Sequence, residues 1–461
     1  MRYENGKAVD VKISYIGGGS RGWAWTFMSD LSQNKDMSGT VYLYDIDYTA
    51  SQDNEKIGNA IPFSNEGADS FRYKAVRTYR EALEGADFVI ISILPGTFDE
   101  MESDVHTPEK YGIYQSVGDT AGVGGVIRSL RTLPMFFEFA EQIKKHCPDA
   151  FVINYTNPMA LCVAALYRAF PEIKCYGCCH EVFGTQTFLS SILKKNTGID
   201  APRQDIKVNV VGVNHFTWLT EAHYRNIDLF PMYRDYCEKY VKTGTLDGKD
   251  DNWMNNVFEC LNKVKMDLFL KFGYIAAAGD RHLAEFCPPH WYLKDPETAK
   301  SYGFTLTPVS WRKDDLVERL ARRDRLLSGT ESFEVKNTGE EGVIQMCSLL
   351  GFRDFVTNVN IPNRGQISNL PLGAVVETNA RFCSGSVTPV LAGPIPDEIL
   401  PLIARSAENQ KLILDAAWER SLDKAFVAFL NEPMNNLDLE ESRALFDEMC
   451  RNTAAYLKDY H

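Results

Sequence analysis

Over the first 200 residues, short apolar runs rich in β-branched and aromatic side chains recur at 11–16, 41–44, 88–93, 151–153 and roughly 173–177. Between them the apolar positions fall at helical spacing, as in the stretch 133–146 that stops before Pro148. Alternation of this kind predicts parallel strands joined by helical crossovers, a doubly wound, Rossmann-type α/β sheet. Beyond residue 200 the pattern is more mixed. A strand-like run at 206–213, helical spacing near 253–271 and a long helical stretch over 399–430 predict an α+β unit packed on the first. No Pro/Gly/Ser linker intervenes, so the division into 1–200 and 201–461 rests on the change of pattern alone.

Composition narrows the classes of function. The chain has 461 residues, 44% hydrophobic and 24% charged, the balance of a soluble protein with a sizeable core. Its formal charge of -13, from 49 Lys+Arg against 62 Asp+Glu, repels phosphate polymers and argues against nucleic acid as a partner. The apolar run at 88–94, interrupted by Ser92, is far short of the ~20 residues that cross a bilayer. The N-terminus lacks the apolar segment of a secretory signal, so a cytoplasmic protein without a membrane partner is expected. Eleven cysteines without framework spacing then predict free thiols, and Cys175 and Cys178 lack the second pair of a structural zinc site.

The run at 11–16 leads directly into Gly17-Gly18-Gly19-Ser20-Arg21-Gly22, a G-x-G-x-x-G turn between a strand and a helix beginning near Trp23. In that context Gly17 permits the tight turn, Gly19 lets backbone approach a pyrophosphate, and Gly22 lets helix and strand pack closely. The helix N-terminus adds free N–H groups and a positive dipole end. Asp45, closing the next strand, is placed for the ribose hydroxyls and disfavours a 2′-phosphate. Residues 1–200 are therefore expected to bind NAD, through Gly17, Gly18, Gly19, Ser20, Gly22 and Asp45.

Other polar clusters fall at strand ends, where ligands of open α/β sheets bind. They are Pro95-Gly96-Thr97, the glycine-rich 118–125 with Arg128 and Arg131 one turn apart beyond it, Asn154-Tyr155-Thr156-Asn157-Pro158, and Cys178-Cys179-His180-Glu181. A later strand ends in Asn214-His215, and Gly279-Asp280-Arg281-His282 carries acid, base and imidazole together. Each also reads as ordinary turn chemistry. Cys179 with His215 would offer a soft and a borderline ligand to a divalent cation, leaving positions open for substrate oxygens. Their alternative is a buried thiol and a core imidazole.

Taken together, Ile16-Gly17-Gly18-Gly19-Ser20, Thr156-Asn157-Pro158, Cys179-His180-Glu181-Val182, Val213-Asn214-His215-Phe216-Thr217-Trp218, and Asn360-Ile361-Pro362-Asn363-Arg364-Gly365 through to Glu377 give the chain a resemblance, over nearly its whole length, to the family 4 glycoside hydrolases. The resemblance implies a glycosidase of lactate/malate dehydrogenase-like architecture that uses NAD and manganese or another divalent cation. NAD would take hydride from C3 of the sugar, the ketone would acidify C2–H, a base would remove that proton, and the aglycone would leave C1. Water would then add and the hydride return, so NAD is regenerated each turnover. Carried over by position, Cys179 and His215 are the metal ligands, Asn157 binds sugar hydroxyls, and His180 is the acid for the leaving oxygen.

Asp280 is the expected base at C2, with Tyr274 and His282 as alternatives. Cys-His-Glu-Val is similar to the α-galacturonidase group within the family, which makes an α-galacturonide or oligogalacturonide the expected substrate. A neutral α-glucoside or α-galactoside, or a 2-hydroxy acid oxidised by a simple dehydrogenase, are the other readings. A uronate carboxylate calls for arginine, with Arg281 the expected partner and Arg128, Arg131 and Arg364 further candidates. Family likeness also implies a homodimer or homotetramer, and a thiolate ligand implies activity only under reducing conditions.

Overall fold

The apolar runs of the N-terminal half become adjacent strands because each is buried on both faces and needs helices above and below it. The computed structural model describes residues 1–61, 71–248, 258 and 260–461. In chain order its strands are β1 (Arg2–Glu4), β2 (Lys7–Ile16), β3 (Met37–Tyr44), β4 (Phe71–Val76), β5 (Phe88–Ile91), β6 (Phe151–Asn154), β7 (Lys174–Gly177), β8 (Ile206–Val213), β9 (Phe216–Tyr224), β10 (Ile227–Asp228), β11 (Ile275–Ala276), β12 (Phe355–Pro362), β13 (Val375–Cys383) and β14 (Ser386–Pro389). Six of them, in the order β4-β3-β2-β5-β6-β7, pair in parallel. That is the doubly wound α/β fold, with its order reversing between β2 and β5.

The sheet does not stop at the first 200 residues. Antiparallel β12, β13 and β14 extend it beyond β7, while β8 to β11 form a separate four-stranded sheet. The stretch at 399–430 is two helices, Leu400–Glu419 and Leu422–Leu430. Arg420 breaks it in a left-handed conformation (φ +57°), and the Ser421 hydroxyl accepts from the Lys424 N–H to start the second helix. Of the helical spacing at 253–271, residues 253–257 and 259 lie outside the described residues, and Lys263–Phe272 is helical. Among the described residues no helix is long and apolar enough to cross a membrane. All eleven cysteines are free thiols.

One helix links the core to the site. Gly122–His146 runs unbroken through Pro134, burying Val126, Ile127, Leu130, Leu133 and Phe136. Pro134 has no N–H for the Leu130 carbonyl, and the Tyr460 hydroxyl donates to that carbonyl instead, at 2.6 Å. The helix start is fastened by buried Glu432, whose carboxylate accepts from Gly122 N–H at 2.9 Å and from Asn409 Nδ2 at 2.6 Å. Burial raises Glu432 from an ordinary 4.5 to about 7. The folded state thus holds this proton more tightly than the unfolded chain, and the stability it contributes is lost as pH rises from 4.5 through 7. The change amounts to about 3 kcal/mol at most. In urea unfolding, the stability of the wild type relative to Glu432→Gln should therefore fall between pH 5 and pH 8. A difference that stays flat would remove Glu432 from the list of titrating core groups.

Candidate active site

The loops that follow β2, β5, β6 and β7 converge on one end of the parallel sheet. Gly17 is left-handed (φ +94°), and a Cβ there would lie 1.9 Å from the Ser92 carbonyl oxygen, so the loops after β2 and β5 touch where the strand order reverses. Gly19 N–H donates to Asp45 Oδ2 at 2.9 Å, which sets the end of β3 against the glycine turn. The Asn54 amide donates to the carbonyls of Gly18 and Ser20 and holds the turn open-faced. Gly22 precedes the helix Trp23–Ser32 and no side chain caps it. Its first N–H groups have no capping side chain, and the Arg319 guanidinium lies against Gly22 where a Cβ would be and donates to the Arg21 carbonyl.

A second group assembles a few loops away. The two residues Asn214 and His215 turn the hairpin from β8 into β9, with His215 left-handed (φ +65°) and buried. Asp119 and His282 meet it there. One ligand atom from each of Asp119, His215 and His282 lies within 4.8 Å of the others, and the two imidazole centroids are 3.8 Å apart. The Thr120 hydroxyl donates to Asp119 Oδ1 at 2.7 Å and lies 3.1 Å from His215 Nδ1, and Asn157 Nδ2 donates to Asp119 Oδ2 at 3.2 Å.

The electrostatics follow from these distances. Burial, and then His282, push His215 down to about 3, favouring the neutral imidazole that ligates a cation. Burial raises the Asp119 carboxyl, but His215 and then His282 outweigh it and hold the group well below the usual range. Burial likewise raises Glu181, whose neighbours His282, His180 and His215 bring it down to about 2.

The Cys-His-Glu-Val segment joins the group from β7. Cys179 is buried, and burial followed by the charges of Glu377 and Glu181 holds its thiol well above the usual range, so thiolate there requires positive charge alongside. Asn214 links the two sides, since its Nδ2 donates to Glu377 Oε2 at 3.1 Å while Asn358 donates to Oε1 at 2.6 Å. His180 starts the helix Glu181–Thr197, with Nδ1 2.9 Å from Glu340 Oε1, Nε2 3.9 Å from Glu181 Oε1, and its ring stacked near Trp23. Glu181 Oε1 is also 3.7 Å from His282 Nε2.

Asp280 is placed differently. Fully buried, its two oxygens accept from the N–H groups of Val264 and Lys265, both at 3.1 Å, capping the helix Lys263–Phe272. Tyr274 packs against the hydrophobic core. Arg281 directs its donors to the carbonyls of Thr305 and Ser116 and to the Thr307 hydroxyl. Arg131 is ion-paired with Asp104, and Arg364 is exposed. Asp119, Glu181 and Glu340 enter the site without having been singled out in the sequence. Asp119 lay within the glycine-rich 118–125 and Glu181 within the cysteine motif, so their place was visible and their part was not.

Residues 12–195 match the family described as Family 4 glycosyl hydrolase, and residues 210–435 match the Family 4 glycosyl hydrolase C-terminal domain. The chain belongs to the family 4 glycosyl hydrolases. Two similar proteins are α-galacturonidases: one from Thermoanaerobacterium saccharolyticum, 58% identical and covering 99% of this chain and 98% of its own, and one from Bacillus subtilis, 50% identical over 95% and 96%. The crystal structure of lplD from Bacillus subtilis, described as a glucosidase, superposes on this hydrolase with a TM-score of 0.90 at 50% identity, covering 96% of this chain and all of that one. A 6-phospho-α-glucosidase from gut microorganisms, in complex with NAD and Mn2+, shares the hydrolase's fold with a TM-score of 0.78 at 21% identity, over 98% of this chain and 99% of that one.

Proposed function

We propose that this glycosidase cleaves α-galacturonides, using NAD and a divalent cation such as Mn2+. What carries the reading is the presence of both a dinucleotide-type glycine turn at the point where the strand order reverses and the Asp119, His215 and His282 group, in a chain 58% identical to an α-galacturonidase. The residues fit both groups. Gly17 and Gly19 sit where a Cβ would collide, beside an uncapped helix N-terminus and the Asp45 carboxylate. Asp119 and His215 would hold the cation, with Cys179 as the soft donor that the positive charge would convert to thiolate. When bound, NAD would supply a reversible hydride acceptor, and the cation would supply positive charge for the enediolate that develops on the sugar.

The chain's own groups move the protons. Asp280 is engaged with a helix start and Tyr274 with the core, which leaves His282, the third expected candidate, to take the proton from C2. Glu181, 3.7 Å from it, orients that imidazole and is positioned to stabilise its charged form. His180 delivers a proton to the leaving oxygen, held at its other nitrogen by Glu340. Asn157, whose Nδ2 donates to Asp119, would offer its Oδ1 to a sugar hydroxyl.

The test is release of a chromogenic aglycone from α-D-galacturonide, α-D-galactoside and α-D-glucoside, with NAD, manganese and a thiol reductant each omitted in turn. Cleavage of the galacturonide, lost on each omission and without accumulation of NADH, is the expected result. Cleavage of a neutral glycoside alone would overturn the substrate. Steady NADH formation from a hydroxy acid, with no cleavage, would overturn the hydrolytic reading.

A further inference from the structure

We propose that Glu377 is a positioning residue of the cation site, holding the backbone of Cys179 and the turn that carries His215 in fixed relation through two asparagines, Asn358 and Asn214. The assignment rests on the reading above that Cys179 and His215 are ligands. Those two residues come from different sheets. Cys179 follows β7 in the larger sheet, and His215 turns the hairpin of the separate β8 to β11 sheet. A ligand pair divided in this way needs an element common to both sheets.

That element is β13. Glu377 on β13 stands opposite Asn360 on β12, and Asn360 in turn stands opposite Gly177, two residues before Cys179. Glu377 is 1% exposed. Its Oε1 accepts from Asn358 Nδ2 at 2.6 Å, and the same Nδ2 also donates to the Cys179 carbonyl at 3.2 Å. Its Oε2 accepts at 3.1 Å from the Nδ2 of Asn214, the residue before His215. Asn214 Oδ1 is buried without a partner, so the orientation of that amide is set by what its Nδ2 meets. Two residues further along β13, Asn379 Nδ2 donates to the Val208 carbonyl of β8 at 2.6 Å. β13 thus grips the hairpin sheet at two points and, through Asn358 on β12, the end of β7. This gives the sequence stretch from Asn360 to Glu377 a part in the site.

Hydrogen bonds behind metal ligands hold them in coordinating geometry, and loss of such a partner costs about 10–100-fold in metal affinity. Glu377 suits the role for a second reason. Two amides satisfy its oxygens without supplying positive charge, which a cation at the neighbouring ligands would supply. Glutamine is not equivalent here. Both oxygens accept from amide N–H groups, so an amide nitrogen in place of either would face a second donor.

The experiment measures Mn2+ affinity by calorimetric titration of the NAD-saturated full chain, in wild type, Glu377→Gln and Asn358→Ser. NAD affinity and the urea midpoint are read on the same proteins. Asn358→Ser leaves the carboxylate in place and cuts its arm to Cys179, so the test survives if Glu377→Gln does not fold. Each variant should bind Mn2+ about 10–100-fold more weakly, with NAD affinity within about threefold of wild type. A second readout is the absorption of the protein loaded with Co2+, in which a thiolate ligand gives charge-transfer intensity. That intensity should be present in wild type and reduced in both variants. Mn2+ affinity within about threefold of wild type in either folded variant would overturn the assignment. So would a loss of NAD affinity as large as that of Mn2+, which would mark Glu377 as a general core residue. A wild type whose cobalt form shows no thiolate absorption would instead overturn Cys179 as a ligand, and the positioning role with it.

Discussion

His215→Ala is expected to lower kcat for glycoside cleavage by about 10³-fold or more, since a cation at a developing enediolate supplies several kcal/mol of transition-state stabilisation. His215 is the one residue named both by the sequence motif, with Cys179, and by the geometric group, with Asp119 and His282. It holds its place by a left-handed backbone (φ +65°) at the tip of the β8–β9 hairpin. Loss of activity alone would not separate a lost ligand from a distorted hairpin, so His215→Asn belongs beside it, because asparagine tolerates the left-handed conformation. Both variants should lose stoichiometric manganese, measured on the desalted protein, while NAD binding by fluorescence titration stays within about threefold of wild type, since the glycine turn is built separately. Either variant retaining manganese and cleaving within tenfold of wild type would show that the cation is held elsewhere.

What was legible in the sequence is what the chain builds locally. The glycine turn, its strand and its helix are contiguous, so their residue types and order already state the geometry, and Asp45 follows one strand later. The two-residue turn at Asn214 and His215 is local in the same way. The pairing of Asp119 with His215 is different, since it arises only when the hairpin after β8 folds over the loop before the Gly122–His146 helix. No periodicity records that contact. Arginines show the limit more sharply. Arg128, Arg131 and Arg281 are equivalent as letters, and they part company only through the carbonyls and carboxylates that other elements bring to them. Acid, arginine and imidazole are consecutive at Asp280, and the N–H groups its two oxygens accept from belong to a helix start sixteen residues upstream that the local sequence does not announce. The antiparallel strands β12 to β14 join the first sheet at its β7 edge, a pairing between segments far apart in sequence that alternation of apolar residues does not specify.

Arg131→Met is expected to cost about 3–5 kcal/mol of folding stability, because it strands a carboxylate in the core. Asp104 is fully buried and Arg131 is 1% exposed, and the guanidinium meets both carboxylate oxygens while Nε donates to the Pro95 carbonyl at 3.0 Å. Three pieces are thereby tied at one point: the helix Phe98–His106 that carries Asp104, the helix Gly122–His146 that carries Arg131, and the loop after β5 that touches the glycine turn through Ser92 and Gly17. The effect should therefore appear twice, as a lower urea midpoint and as weaker NAD binding in variant protein that is still folded. Methionine keeps much of the arginine stem's volume, so a packing defect is a minor part of the change. The double variant Arg131→Met/Asp104→Leu separates the remaining causes. If the cost lies in the unpaired charge, removing Asp104 as well should recover more than half of the lost stability, as buried ion pairs replaced whole by apolar groups often do. The Pro95 carbonyl still lacks its donor in the double variant, so NAD binding should stay weak after stability returns. Recovery of both together would assign the loop's position to the charge balance, and a single-variant loss below about 1 kcal/mol would show that water reaches Asp104 and that the pair is not buried in solution.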